Sequence, residues 1–327
     1  MANIRAAVAR VLSVCALAAF AGLAAAQQAY PSKPIRFIVP YPAGGSASAL
    51  ARIVGQKMTE SWGQPVIVDH RPGGNTIIGS DALAKSAPDG YTIMVVASAH
   101  VINALLLPNL PYDTIRDFAP VGTLGSTELV MVLHPSVPAN NLQEFIALAK
   151  SRPGQLNFAS AGAGGVIHLA GELFNMMTGV KIQHISYKGT PPALTDLIGG
   201  QVQLSYIVPL SVAPHIKSGR LKAIAISGDA RLPALPQVPT FAEAGLPGFD
   251  VKFWFGVLAP AGTPKDIIDK LSIEIARILS LADIKENLVG QGMDPFINNP
   301  EQFAALIKAD MSKFAGVIKA ANIKQLD

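Results

Sequence analysis

The chain has 327 residues, with 26 Lys and Arg against 22 Asp and Glu, six histidines and one cysteine, Cys15. Residues 1–26 read as a removable leader that takes Cys15 with it, and cutting 26 from 327 leaves 301 residues without cysteine, which excludes disulfides, thiolate catalysis and cysteine-ligated metal. The leader also removes Arg5 and Arg10, so 24 basic residues face 22 acidic ones; they are scattered, without the basic stripe that nucleic acid demands.

Within the leader, Arg5 and Arg10 form a basic start, Val11–Leu23 an apolar run, and Ala24-Ala25-Ala26 a cleavage site before Gln27. The run is too short and alanine-rich for a transmembrane helix. Leu12-Ser13-Val14-Cys15 is rejected as a lipidation site, because Val14 is bulky where a small residue is wanted and apolar residues continue beyond the cysteine. From Ile35 to about Met131, strand-like runs (Ile35–Val39, Val66–Val68, Thr92–Ala97) alternate with segments of helical spacing, Ser48–Trp62 and Asn75–Ala87. In the first helix Leu50, Ile53, Val54, Met58 and Trp62 recur at three- and four-residue intervals. The alternation predicts a parallel sheet with helices on both faces, an α/β fold.

A second run of the same style begins near Val130–Leu133. Asn140 or Asn141 caps a helix over Leu142–Ser151, ended by Pro153-Gly154. Strand, glycine-rich loop and helix follow over Leu156–Thr178, then a strand from Ile182. Gln203–Val208 and Ala223–Ser227 are further strands, and Leu232–Pro239, with three prolines, is expected to be an extended surface segment. Strand character returns at Val251–Leu258. Thr263 is expected to cap a helix with Pro264 at its first position, and Asn299, Pro300 and Gln302 open a last helix that runs to about Ala321. Residues 27 to about 125 plus 250–327 therefore make lobe one and residues 126–249 lobe two. Crossovers near Gly125 and Phe249 form a hinge about which the lobes close.

Four strand ends run into loops rich in glycine. Tyr41-Pro-Ala-Gly-Gly-Ser46 and Arg71-Pro-Gly-Gly-Asn-Thr76 lie in lobe one; Ser160-Ala-Gly-Ala-Gly-Gly165 and Tyr187-Lys-Gly-Thr190 lie in lobe two. N–H groups at a helix N-terminus lack intrahelical partners and carry the positive end of the helix dipole. Glycine lets a ligand approach that backbone closely. Two lobes with paired loops of this kind describe a cleft for a small anion.

The same residues carry a family resemblance. Tyr41-Pro-Ala-Gly-Gly-Ser with Ala51-Arg52, Arg71-Pro-Gly-Gly, Ala87-Pro-Asp-Gly-Tyr-Thr92, Pro111-Tyr-Asp113, Ser160-Ala-Gly-Ala-Gly-Gly with His168, and Tyr187-Lys-Gly with Pro192-Ala-Leu-Thr-Asp196 occur in order. So do Gly199-Gly-Gln-Val202, Pro214-His-Ile-Lys217, Val238-Pro-Thr240, Glu243-Ala-Gly-Leu-Pro-Gly-Phe249 and Ala259-Pro-Ala-Gly-Thr-Pro264. Over essentially all of the chain beyond the leader it resembles the Bug receptors, periplasmic solute-binding subunits of tripartite tricarboxylate transporters. The resemblance implies a two-lobed type II periplasmic binding protein fold. It implies a periplasmic monomer that binds a small carboxylate and hands it to integral-membrane transporter subunits or, alternatively, presents it to a sensor kinase. It further implies that backbone groups of the glycine loops and ordered waters hold the carboxylate, without arginine. Arg71 reads instead as a tie between strand and loop, and Lys188 as no stronger a candidate.

Two departures bear on the ligand. Members commonly carry Asp in the first loop where this chain has Ser48, and Phe-Asp where it has Tyr206-Ile207. Without those carboxylates the cleft is expected to take a plain or aromatic carboxylate lacking an amine, with Ser48 serving at the helix cap. The expected ligand-binding set is Tyr41, Ala43, Gly44, Gly45, Ser46 and Ser48; Gly73, Gly74, Asn75 and Thr76; Ser160, Ala161, Gly162, Gly165 and His168; Tyr187, Gly189 and Thr190; and Ile207. His168 is expected to support its loop. An enzyme is disfavoured, since the chain has no Gly-x-Ser-x-Gly elbow and no His-Glu-x-x-His motif. His100, His134, His184 and His215 show no metal-like spacing. No P-loop is present, and Gly162-Ala-Gly164 is followed by Ile167 where the dinucleotide fingerprint needs glycine or alanine. No metal, nucleotide or redox cofactor is needed.

Overall fold

The fold is described by a computed structural model over residues 30–41, 43–290 and 292–324. The expected leader and Pro42 lie outside the described residues. The first strands and helices are β1 (Ile35–Val39), α1 (Ser46–Trp62), β2 (Val66–His70), α2 (Ile77–Ala84), β3 (Thr92–Ala97) and α3 (Ala99–Leu106). Then come β4 (Phe118–Glu128), β5 (Val130–Leu133), α4 (Leu142–Ser151), β6 (Asn157–Ser160), α5 (Val166–Thr178) and β7 (Gln183–Ser186). The chain continues through α6 (Thr190–Ile198), β8 (Leu204–Ile207), α7 (Pro209–Lys217), β9 (Lys222–Ile226) and β10 (Lys252–Pro260). It closes with α8 (Lys265–Ser280), α9 (Ala282–Gly290) and α10 (Pro300–Ala320).

Among the described residues ten strands form two five-stranded sheets, ordered β2-β1-β3-β10-β4 and β7-β6-β8-β5-β9. The neighbours β1–β2, β1–β3, β6–β7 and β6–β8 are parallel, as the alternation predicts. Both sheets are nevertheless mixed. Strand β10 lies antiparallel between β3 and β4, and β5 lies antiparallel between β8 and β9. A strand that enters its sheet from the other sheet has no crossover helix to fix its direction, so the parallel rule does not reach it. In β1 the residues Ile35, Phe37, Ile38 and Val39 are fully buried, as a central strand covered on both faces requires.

Phe37, Leu50, Val54, Met58, Val95, Val257, Leu271 and Ile275 build the core of the first sheet. Phe145, Phe158, Phe174, Tyr206, Phe241 and Phe249 build an aromatic core in the second, with Phe241 and Phe249 centroids 4.0 Å apart. Helix α10 serves both: Phe303 and Ile307 pack with Trp254 and Phe118 of the first sheet, while Phe314 and Val317 join the aromatic core. Asn299 and Gln302 close a reciprocal capping box at its start, Gln302 N–H donating to Asn299 Oδ1 (2.8 Å) and Asn299 N–H to Gln302 Oε1 (3.0 Å). Asn141 caps α4 by accepting from Glu144 N–H at 2.9 Å.

Two local expectations fail. Thr263 does not cap α8; its hydroxyl donates to the Pro260 carbonyl at 2.7 Å, and the helix opens at Lys265. The proline-rich segment 232–239 is a series of turns, closed by Leu235 N–H to Leu232 O (2.9 Å) and Val238 N–H to Leu235 O (3.0 Å). Burial of Leu235 and Val238 against Val130, Val132 and Ile226 explains why it is not splayed on the surface.

Chain segments pass between the sheets at Leu129, between β4 and β5, and again between β9 and β10. Ser227 laces them together. Its hydroxyl accepts from Leu129 N–H (2.9 Å) and donates to Val251 O (2.6 Å), while its own N–H donates to Leu129 O (2.9 Å).

Candidate functional site

A cavity of ≈ 240 Å³ opens between the two sheets. The first sheet and its connections contribute Tyr41, Asn75, Ala99 and Phe253; the second contributes Ala161–Ala163, Gly165–Ile167, Thr190 and Val208; Leu129, on the crossover, completes the lining.

The second-sheet wall is the turn from β6 into α5. Leu169 N–H makes the first helical bond, to Gly165 O at 3.0 Å, so the N–H groups of Val166, Ile167 and His168 have no carbonyl of their own helix to meet. Two histidines brace this turn from behind. Gly164 N–H donates to His168 Nδ1 at 3.0 Å, which leaves the proton of that ring on Nε2, facing Glu172 Oε1 at 3.7 Å. Ser160 Oγ donates to Gly162 O (2.9 Å), accepts from Gly162 N–H (3.2 Å) and lies 2.6 Å from His184 Nε2, which takes the donor role. The two imidazoles stack with centroids 3.7 Å apart and planes 15° from parallel. Burial pushes His168 down to about 4; burial, then the charge of His168, pushes His184 down to about 3. Both rings are neutral at pH 7, so the turn rests on uncharged supports.

The adjoining α6 starts at Thr190 behind Gly189, whose φ of 110° favours glycine. Pro191 and Pro192 then remove two donors from the first turn. Gly189 N–H donates to Ala161 O at 3.0 Å and Tyr187 N–H to Ser160 O at 3.0 Å, tying this loop to the first. The Tyr187 hydroxyl donates to Asp196 at 2.7 Å; it is raised in pKa by burial and then by that carboxylate, and it is not among the lining residues.

Across the cavity the wall is a turn in which four successive residues have positive φ: Gly73 (125°), Gly74 (54°), Asn75 (51°) and Thr76 (78°). Asn75 and Thr76 carry Cβ atoms there, at a cost of about 1–3 kcal/mol per residue. Buried Asn103 of α3 holds them: its Nδ2 donates to Asn75 O (2.6 Å) and Thr76 Oγ1 (3.3 Å), and its Oδ1 accepts from Asn75 Nδ2 (2.5 Å). Tyr41 follows β1, and burial raises its hydroxyl well above the ordinary value, keeping it a neutral donor.

Of the expected ligand set, Tyr41, Asn75, Ala161, Gly162, Gly165 and Thr190 line the cavity. Gly73, Gly74 and Thr76 shape a lining turn, Ser160 and His168 brace another, Gly189 starts α6, and Ala43, Gly44, Gly45 and Ser46 lie outside the lining. Ser48 and Ile207 are elsewhere. The cap of α1 is Gly45. Ser48, three residues into the helix, is fully buried against β2, 2.9 Å from His70 Nε2 and accepting from Arg52 Nη2 at 3.1 Å. Ile207 pairs with Val130 inside β8 and packs into the core, and its successor Val208, the cap of α7, lines the cavity. Arg71 donates to Asp69 at 2.9 Å, a tie within the β2 edge. Val166 and Ile167 follow from helix-start logic that stopped at Gly165. Ala99, Leu129 and Phe253 carry no local motif and arrive by tertiary contact.

Residues 50–323 match the family described as tripartite tricarboxylate transporter family receptor. Protein BugT of Bordetella pertussis is 40% identical over 320 residues, spanning 96% of this chain and 98% of BugT. A solved R. palustris protein with adipate superposes with a TM-score of 0.81 at 32% identity, over 91% of this chain and all (100%) of that one. MatC from Rhodopseudomonas palustris with bound malate gives 0.74 at 32% identity, over 88% and 100%.

Proposed function

This chain belongs to the tripartite tricarboxylate transporter receptor family, with its two-lobed α/β periplasmic binding protein fold, and we propose that it captures a small carboxylate without an amine by lobe closure and delivers it to transporter subunits in the membrane. The observation that carries the reading is the composition of the cavity wall: no Asp, Glu, Lys or Arg stands among the described residues lining it. An anion there meets helix-start N–H groups, Asn75, Thr190 and the Tyr41 hydroxyl, while an ammonium group meets no carboxylate. The basis for the amine-free ligand therefore moves from Ser48 and Ile207 to the wall as a whole. Charge-assisted bonds of about 1.5–3 kcal/mol each, strengthened as closure excludes water, suffice for micromolar binding at about 8 kcal/mol.

Lobe one comprises residues 27–125 plus 250–327 and lobe two residues 126–249 in this reading, with Leu129, Ser227 and Val251 at the hinge. Residues 1–26 direct export to the periplasm and are removed, and the receptor turns over no substrate. No helix among the described residues is long and apolar enough to cross a membrane, in keeping with that location. Thermal shift of residues 27–327 against carboxylates with and without amines tests the proposal, since a ligand of the native state raises Tm by mass action. Stabilisation by plain carboxylates with aspartate and glutamate silent supports it; a response confined to the amino acids refutes the amine-free ligand.

A further inference from the structure

We infer that the cavity selects against a hydroxyl at the middle of its ligand, so that it takes carboxylates with an unbroken hydrocarbon body and rejects their mid-chain hydroxylated counterparts. The inference rests on the carboxylate reading above and specifies it further. Polar groups of the wall come from both lobes: Asn75 and Tyr41 from loops of the first sheet, the Gly162–Gly165 turn and Thr190 from the second. Leu129 on the crossover and Phe253, packed against the cores of both sheets, lie between them, and these two and the lining residue Val208 have only carbon in their side chains.

The backbone of Leu129 and Phe253 is also engaged. Leu129 N–H and O are both taken by Ser227, and Phe253 pairs with Thr127 in the β10–β4 ladder. Phe253 is further fixed by the Phe255 ring, 5.1 Å away at 74°, and packs against the cores of both sheets. A hydroxyl pressed onto this surface loses its water and gains no partner. Methylene or aromatic carbon loses nothing there. Because Leu129 and Phe253 stand where the chain passes between lobes, the floor is part of the hinge, and a body that fails to seat on it also opposes closure.

Matched pairs test this on the wild-type protein: glutarate against 3-hydroxyglutarate, and adipate against 3-hydroxyadipate, by calorimetric titration at one pH and salt concentration. The hydroxyl is expected to weaken binding roughly fivefold to a hundredfold in each pair. Equal or tighter binding of the hydroxylated acids overturns the inference and leaves the carboxylate reading standing, whereas silence of every carboxylate removes the reading itself. Val208→Thr, nearly isosteric and on a half-buried residue, places a hydroxyl in the floor. Its adipate affinity should fall several-fold and the adipate to 3-hydroxyadipate ratio should shrink; an unchanged ratio in a folded Val208→Thr protein locates the discrimination outside the floor and also overturns the inference.

Discussion

Asn103→Ala removes the clamp on the strained turn at Gly73–Thr76, and its consequences can be worked from the contacts. Two well-formed bonds are lost, Asn103 Nδ2 to Asn75 O at 2.6 Å and Asn75 Nδ2 to Asn103 Oδ1 at 2.5 Å, with a longer one to Thr76 Oγ1 at 3.3 Å. At about 0.5–1.5 kcal/mol net for each good bond, the loss is about 1–3 kcal/mol. Asn103 and Thr76 are both buried, so the hydroxyl left without its donor adds to it. Relaxation of the turn offsets part of this, because Asn75 and Thr76 can then leave φ values of 51° and 78°. Relaxation also withdraws Asn75 from the cavity wall. If the relaxed turn is favoured by about 1–3 kcal/mol, the competent fraction and the apparent affinity fall about five- to a hundredfold. Urea unfolding gives the stability change, and titration with a carboxylate that stabilises the wild type gives the affinity change. Adding Thr76→Gly, which accepts positive φ without strain, should recover part of the affinity. Unchanged affinity in a destabilised Asn103→Ala protein would refute the argument, because it would show that the turn keeps its shape unaided.

Three further outcomes follow from the same contacts. His168 and His184, at about 4 and about 3, and His100, which burial lowers to about 4, are neutral in the folded chain well below the ordinary histidine value of 6.5. The unfolded chain therefore binds more protons below pH 6.5, and stability present above that value should decline on acidification towards about pH 4; His168→Gln should flatten the slope measured by unfolding between pH 6.5 and 5. Ser227→Ala leaves Leu129 N–H without its acceptor and Val251 O without its donor; a loss of about 1–3 kcal/mol in urea unfolding is expected, and a loss under 0.5 kcal/mol argues against a stitched hinge. Trp254→Phe deprives Asp310 of the indole N–H at 2.6 Å while Lys313 remains at 3.0 Å, and should lower stability by about 1–3 kcal/mol without changing carboxylate affinity.

Legibility in the sequence tracked how far each residue's role is local. Strands β1, β3 and β5 coincide with the apolar runs read at Ile35–Val39, Thr92–Ala97 and Val130–Leu133, because a strand buried on both faces announces itself in composition. Strand β4 did not: Phe118–Glu128 holds a proline and two glycines, and its extended state is imposed by β10 alongside, a case of pairing overriding propensity. Pro191 and Pro192 hid α6, although proline is tolerated in the first turn of a helix. The glycine loops stood out because close approach to a helix start demands small residues at fixed offsets.

The other half of the cavity had no such signature, for a physical reason. Donors for an anion are backbone groups, and exposing them constrains which residues stand beside them. An apolar floor needs only carbon at the right place in space, and Leu129 and Phe253, 124 positions apart in the chain, look like any core residues until Ser227 and the β10–β4 ladder set them side by side. Ser48 and Ile207 err in the opposite sense. Helix phase turns Ser48 towards His70, and Ile207, paired with Val130, packs into the core while Val208 after it lines the cavity. A charge difference read along a sequence acquires meaning for a ligand only when that phase is known. On the proposed reading discrimination falls to the neutral wall, where Leu129 and Phe253, at the passage between the sheets, also line the cavity.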